Sequence, residues 1–140
     1  MEGLPWLNDG ELIATDICVA INELIRDTLQ ASGVQFTWTS LQVNHNTVAS
    51  WHQDSGNLGT SAILIGGDFD GGEFELESLP AMDLRNHLTF FNGQAWHRSL
   101  PFEGHRVSIV AFTHALTPKC PQQICGALAR LGFSFPHSLA

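Results

Sequence analysis

The sequence predicts a mainly β domain with a helix at either end, built as a jelly-roll or barrel-like β-sandwich. Three observations carry that expectation. Apolar residues recur at helical spacing near the start of the chain, a long central region is rich in β-branched and aromatic residues in short runs, and a brief helical pattern returns near the end.

The first helix is expected over residues 9–31. Asn8 or Asp9 can cap it, Ile13, Ile17, Ile21, Leu24, Ile25 and Leu29 form one apolar stripe, and Ser32-Gly33 supplies the stop. Met1 to Asn8, with Pro5 and Trp6, reads as an irregular arm. The β region runs over 34–114, with strands expected near 34–44, 47–54, 60–66, 72–78, 87–91, 95–99 and 105–114. The glycine-rich stretch from Gly66 to Gly72 reads as a turn between two of them. A second helix is expected over 121–131, with Pro121 in its first turn, Ile124, Leu128 and Leu131 along it and Gly132 at its end; Phe133 to Ala140 reads as a tail. Residues 1–140 contain no repeat, linker or second core pattern, so one domain is expected.

Composition narrows the function. Hydrophobic residues make up 44% and charged residues 14% of the chain, enough for a core and too little charge for a disordered tail. The formal net charge of −8 repels phosphate, which disfavours a nucleic-acid partner without excluding it. No signal-peptide pattern or membrane-length apolar run occurs, so a soluble intracellular protein, cytoplasmic or nuclear, is expected. Cys18, Cys120 and Cys125 contain no C-x-x-C pair and read as free thiols.

The chemistry concentrates in three places. In Trp51-His52-Gln53-Asp54, residues two apart on a strand point to one side, so the His52 imidazole and Asp54 carboxylate project together. His97, on a strand that a sandwich can bring back beside the first, offers a third ligand. Two histidines and one carboxylate on a single face leave the opposite coordination positions open, as non-haem iron(II) oxygenases require. A structural zinc site would fill those positions with protein ligands. Arg106-Val107-Ser108 then places two polar side chains on one side of an otherwise apolar strand. A buried guanidinium needs an anion, and a carboxylate matches its planar fork. Arg98 is the competing anchor, but as a neighbour of His97 it should face away.

Together His52-x-Asp54, His97 and Arg106-x-Ser108 resemble the iron(II)/2-oxoglutarate dioxygenase superfamily, over roughly residues 40 to 114. Asn44, Asn46, Asn57-x-Gly59 and the segment Gly66 to Phe74 are further similar to its TET and base-J-binding branch. The resemblance implies a double-stranded β-helix core of the cupin-like kind. It implies Fe(II) held by His52, Asp54 and His97, and 2-oxoglutarate anchored by Arg106 and Ser108. Dioxygen is the co-reactant and hydroxylation of a C–H bond the outcome, since halogenating relatives lack the carboxylate that Asp54 provides. Asn44 or Asn46 would bond the cosubstrate or substrate. The branch points to a methylated pyrimidine base in nucleic acid. A prolyl-type protein hydroxylase is the alternative, and a non-catalytic β-sandwich binding module or a cupin-like metal enzyme without 2-oxoglutarate also stays open. The chain has no tyrosine, which many relatives direct at 2-oxoglutarate, so another donor must serve.

The remaining candidates have plainer readings. His45, His87, His105, His114 and His137 read as surface or core histidines. Trp51 and Trp96 should face away from the metal and pack in an outer core. Asp68, Asp70, Glu73, Glu75 and Glu77 read as a solvated acidic turn and strand face.

Overall fold

The computed structural model describes residues 9–136, so the expected arm at Met1–Asn8, the end of the tail and His137 lie outside the described residues. The described chain forms two compact units. One comprises the residues up to Ser40 together with those from Leu116 onward, and the other is Leu41–Ala115. No helix among the described residues is long and apolar enough to cross a membrane.

In the first unit, helix α1 spans Asp9–Ser32. Gly33 ends it at φ 72°, a left-handed conformation that costs glycine little, with its N–H donating to the Leu29 carbonyl at 2.9 Å. The expected apolar stripe is corrected. Ile13 lies outside the residues whose side chains are described; among the described ones Ile25 and Leu29 are buried, Ile17 and Leu24 are exposed, and the third buried position is the polar Asn22. Asn22 holds that place because its amide is satisfied on both sides. Its Oδ1 accepts from Trp38 Nε1 at 2.8 Å, and its Nδ2 donates to the Leu131 carbonyl at 3.1 Å. Helix α2 spans Gln122–Arg130, with Pro121 just outside it as the N-cap rather than in its first turn. The supposed tail begins as packed structure: Phe133 is buried, and Trp38 and Ser134 exchange backbone hydrogen bonds at 2.8 and 3.1 Å.

The second unit is antiparallel β structure. Strands β1 (Ser40–His45), β2 (Asn57–Gly71), β4 (Thr89–Phe91) and β6 (Phe102–His114) form a sheet in the order β1-β6-β2-β4, and β3 (Phe74–Leu76) pairs with β5 (His97–Ser99). Among the described residues six strands thus replace the seven expected from the sequence. Residues 34–39 contribute no regular strand, only the bridge at Trp38. The segment 47–54 lies along β5 without forming a ladder. Ala49 bonds Ser99 and His52 bonds His97, so three residues span what two span opposite, and regular pairing cannot close.

The glycine-rich stretch is a second correction. It continues β2 rather than turning, with Gly67 opposite Arg106 and Gly71 opposite Phe102. Glycine is required because the strands approach closely: a Cβ on Gly67, at φ 121°, would sit 2.2 Å from the His105 carbonyl oxygen. The chain leaves this ladder only after Gly71 and reaches β3 through Gly72 and Glu73.

Register sets which side chains share a face. Ile63, Ile65 and Gly67 of β2 oppose Val110, Ser108 and Arg106 of β6. Paired residues point to the same side of a sheet. That side carries the core cluster of Ile63, Ile65, Phe69, Phe74 and Phe91, and into the same side β6 sends Arg106 and Ser108.

Candidate metal centre

His52, Asp54 and His97 come together although they do not lie on one regular ladder. His52 and His97 exchange backbone hydrogen bonds, each at 3.0 Å, and the Asp54 N–H donates to the Gly93 carbonyl at 2.8 Å. These bonds on alternate residues keep the side-chain alternation of an extended chain, so both ligands of the His-x-Asp pair reach one side. Asp54 Oδ2 lies 3.2 Å from His97 Nε2 and Asp54 Oδ1 lies 3.8 Å from His52 Nε2. One ligand atom from each residue fits within 4.8 Å of the others, and the group can hold a metal ion. Ligand bonds of about 2.0–2.2 Å place adjacent donors roughly 3–4 Å apart, the separation seen between Asp54 and each histidine.

The imidazoles are oriented for ligation. His52 Nδ1 lies 2.7 Å from the Ser50 carbonyl, and His97 Nδ1 lies 2.7 Å from the Ala95 carbonyl. A carbonyl only accepts, so each Nδ1 donates to it, and each Nε2 is the ring nitrogen left facing Asp54, where it can serve as a metal ligand. His97 is buried, with Phe91 and Phe74 ring centroids 5.2 and 5.8 Å from its own. His52 and Asp54 are half-buried, leaving one side of the group open.

That side opens on a cavity of about 220 Å³ whose lining includes His52, Asp54, His97, Asn44, Arg106 and Ser108. Residues of both sheets line it, Phe74 and Ser99 from the two-stranded sheet and Ile63, Phe91 and Val110 from the four-stranded one. Its volume is below that of pockets for drug-sized ligands, which run to about 300–1,000 Å³, so it suits a small molecule.

Arg106 is 3% exposed, and burial pulls its pKa below the ordinary guanidinium value. Its Nε is buried without a hydrogen-bond partner, and among the described residues no carboxylate pairs with it. Phe69 and Phe102 flank it, with ring centroids 5.7 and 5.8 Å from its Cζ. Gly72 makes the space: at φ 69°, a Cβ there would lie 3.0 Å from both Arg106 Cδ and Nε. Arg98 faces elsewhere, as expected. It borders the cavity, but its Nε donates to Glu75 Oε1 at 2.7 Å and its guanidinium lies 4.6 Å from the Trp51 ring.

The two asparagines separate. Asn44 lines the cavity and accepts from Gln42 Nε2 at 3.3 Å. Asn46, at φ 54°, spends its Oδ1 on the Arg106 N–H at 2.8 Å and so holds the backbone of β6 instead of facing a ligand. His45 and His105 are exposed and stacked on one another, and His87 and His114 are exposed. Trp51 and Trp96 do face away from the metal group, but they are exposed and not packed in an outer core. The acidic face is likewise only partly solvated, since Glu75 is tied to Arg98 and Glu77 Oε1 accepts from the Trp96 N–H at 2.8 Å.

Sequence reasoning missed Gly72, Phe74 and Phe91. Gly72 was visible in the glycine run, but its purpose depends on a side chain far along the chain. No family model matches the sequence, and no curated protein matches it either.

Proposed function

We propose that the protein is an Fe(II)- and 2-oxoglutarate-dependent oxygenase that hydroxylates a C–H bond, on a double-stranded β-helix core. The observation that carries the reading is Arg106. A buried guanidinium with an unpartnered Nε lines the same small cavity as a convergent His, Asp, His group. A buried charge of this kind is costly unless an anion completes it. A small dicarboxylate meets both needs, with one end at the metal and the other on Arg106.

The residues present fit the cofactors. His52, Asp54 and His97 would hold the iron, which is bound well by imidazole and carboxylate in a facial arrangement. Arg106 would bind the distal carboxylate of 2-oxoglutarate with the Ser108 hydroxyl beside it. Asn44 and Gln42 would present amides at the cavity wall. Iron and cosubstrate so bound supply dioxygen-dependent oxidation, with 2-oxoglutarate converted to succinate. The chain itself orients and shields. The Ser50 and Ala95 carbonyls fix the imidazole tautomers, and Phe74 and Phe91 keep water from the His97 side.

The substrate proposed first is a methylated pyrimidine base. A side chain of a cationic peptide is the second reading, favoured by the net charge of −8.

The test uses purified protein with iron(II) and 2-oxoglutarate. Succinate should form without added substrate and disappear in His52→Ala and Asp54→Ala. A wild-type protein that binds iron but never 2-oxoglutarate in anaerobic titration would end the proposal.

A further inference from the structure

The reverse face of the two-stranded sheet carries a feature the metal centre does not use. Residues on the metal side alternate with residues on the far side, so Glu75 and Arg98, paired in register, point away from His97. One step along, the Glu77 N–H donates to the Trp96 carbonyl at 2.9 Å, which places Glu77 and Trp96 as the next pair on that same far side. With Trp51 and Leu79 they line a shallow depression.

Half of this surface already shows its preferred chemistry. The Arg98 guanidinium lies 4.6 Å from the centre of the Trp51 ring while its Nε donates to Glu75 Oε1 at 2.7 Å. An indole and a carboxylate thus hold a cation between them. The other half repeats the indole and the carboxylate without the cation. Trp96 is 45% exposed, Leu79 beside it is 52% exposed, and Glu77 uses one oxygen on the Trp96 N–H and keeps the other. Among the described residues no Lys or Arg lines that part of the depression. An exposed indole, an exposed leucine and an adjacent carboxylate on a protein of net charge −8 are complementary to a chain that is both apolar and basic.

We propose that this face is a docking site for a basic peptide segment of a partner protein, with an arginine or lysine of the partner seated on Trp96 against the Glu77 carboxylate and an apolar neighbour on Leu79. The inference stands independently of which metal or cosubstrate the opposite face takes.

The probe is the blocked peptide acetyl-Leu-Arg-Gly-Leu-Arg-amide, titrated into the full chain and followed by NMR through the Trp51 and Trp96 indole N–H signals. A matched peptide with glutamine in place of arginine is the control. The expected result is a saturable shift of the Trp96 signal with the basic peptide and none with the control. Binding should weaken about fivefold in Glu77→Gln, the ratio that corresponds to loss of one exposed ion pair. Leu79→Lys, on an exposed side chain, should weaken it by charge repulsion and serves if Glu77→Gln disturbs the sheet. Cobalt(II) binding should be unchanged in both variants, which separates loss of docking from damage to His97. The proposal is overturned if the peptide leaves the Trp96 signal unmoved or if both variants bind as wild type does. Self-association through Trp96, seen as concentration-dependent shifts without peptide, would also overturn it.

Discussion

Replacing Arg106 by methionine asks the structure for two effects of opposite sign. Arg106 is 3% exposed, its Nε has no partner, and aromatic rings flank it, so in the absence of a ligand the fold bears the desolvation of a cation with little return. Methionine has similar reach, no charge and no orphaned donor. The ligand-free Arg106→Met protein should therefore unfold at the same denaturant midpoint as wild type or a higher one. Binding of 2-oxoglutarate should move the other way. Hydrogen bonds to charged groups contribute about 1.5–3 kcal/mol each, and a bidentate pair would lose roughly 3 kcal/mol or more. With about 1.4 kcal/mol per factor of ten, affinity should fall about a hundredfold or further. Anaerobic calorimetry of cobalt-loaded protein with 2-oxoglutarate measures the loss, and urea unfolding measures the stability. Cobalt affinity itself should hold, because Arg106 is not a ligand. The reasoning is refuted if Arg106→Met is destabilised by several kcal/mol while 2-oxoglutarate binds as before. Arg106 would then be a structural cation.

Gly72→Ala should both strain the backbone and push the guanidinium aside, because its Cβ would meet Arg106 and Phe69 at 3.0 Å in a left-handed conformation. A loss of about 1–2 kcal/mol in urea unfolding is expected, together with weaker 2-oxoglutarate binding. Asn22→Leu should leave the buried Trp38 N–H and the Leu131 carbonyl unpaired, at a cost of about 1–3 kcal/mol for each group, read by thermal unfolding. Burial and, next, a hydrogen bond with the Cys125 thiol push the Cys120 thiol up to about 11. Because the thiolate is the nucleophile, iodoacetamide labelling of Cys120 at pH 8 should be far slower than that of an ordinary thiol and should rise tenfold per pH unit until near pH 11. Mass spectrometry of a pH series follows it, and a rate that levels off near pH 9 would contradict the assignment.

Much of this protein is written in local pattern. Helix α1, its glycine stop and the change to β structure follow from apolar spacing and turn residues, and His52-x-Asp54 states its own convergence because alternation along an extended chain is a local property. The pairing of Arg106 with Ser108 on one side of β6 is equally local. Patterns of that kind do not report what lies across a sheet. The glycines from Gly66 to Gly72 look like a turn in one dimension, and only the close approach of β6 makes them strand and cradle. The apolar stripe of α1 failed in the same way, since Asn22 is buried to satisfy Trp38 and Leu131, which are distant in sequence. Trp51 and Trp96 could be assigned a direction from their neighbours, but not an environment. Whether a side chain finds a partner across space is decided by tertiary packing, because burial and hydrogen-bond satisfaction are properties of neighbours rather than of sequence order.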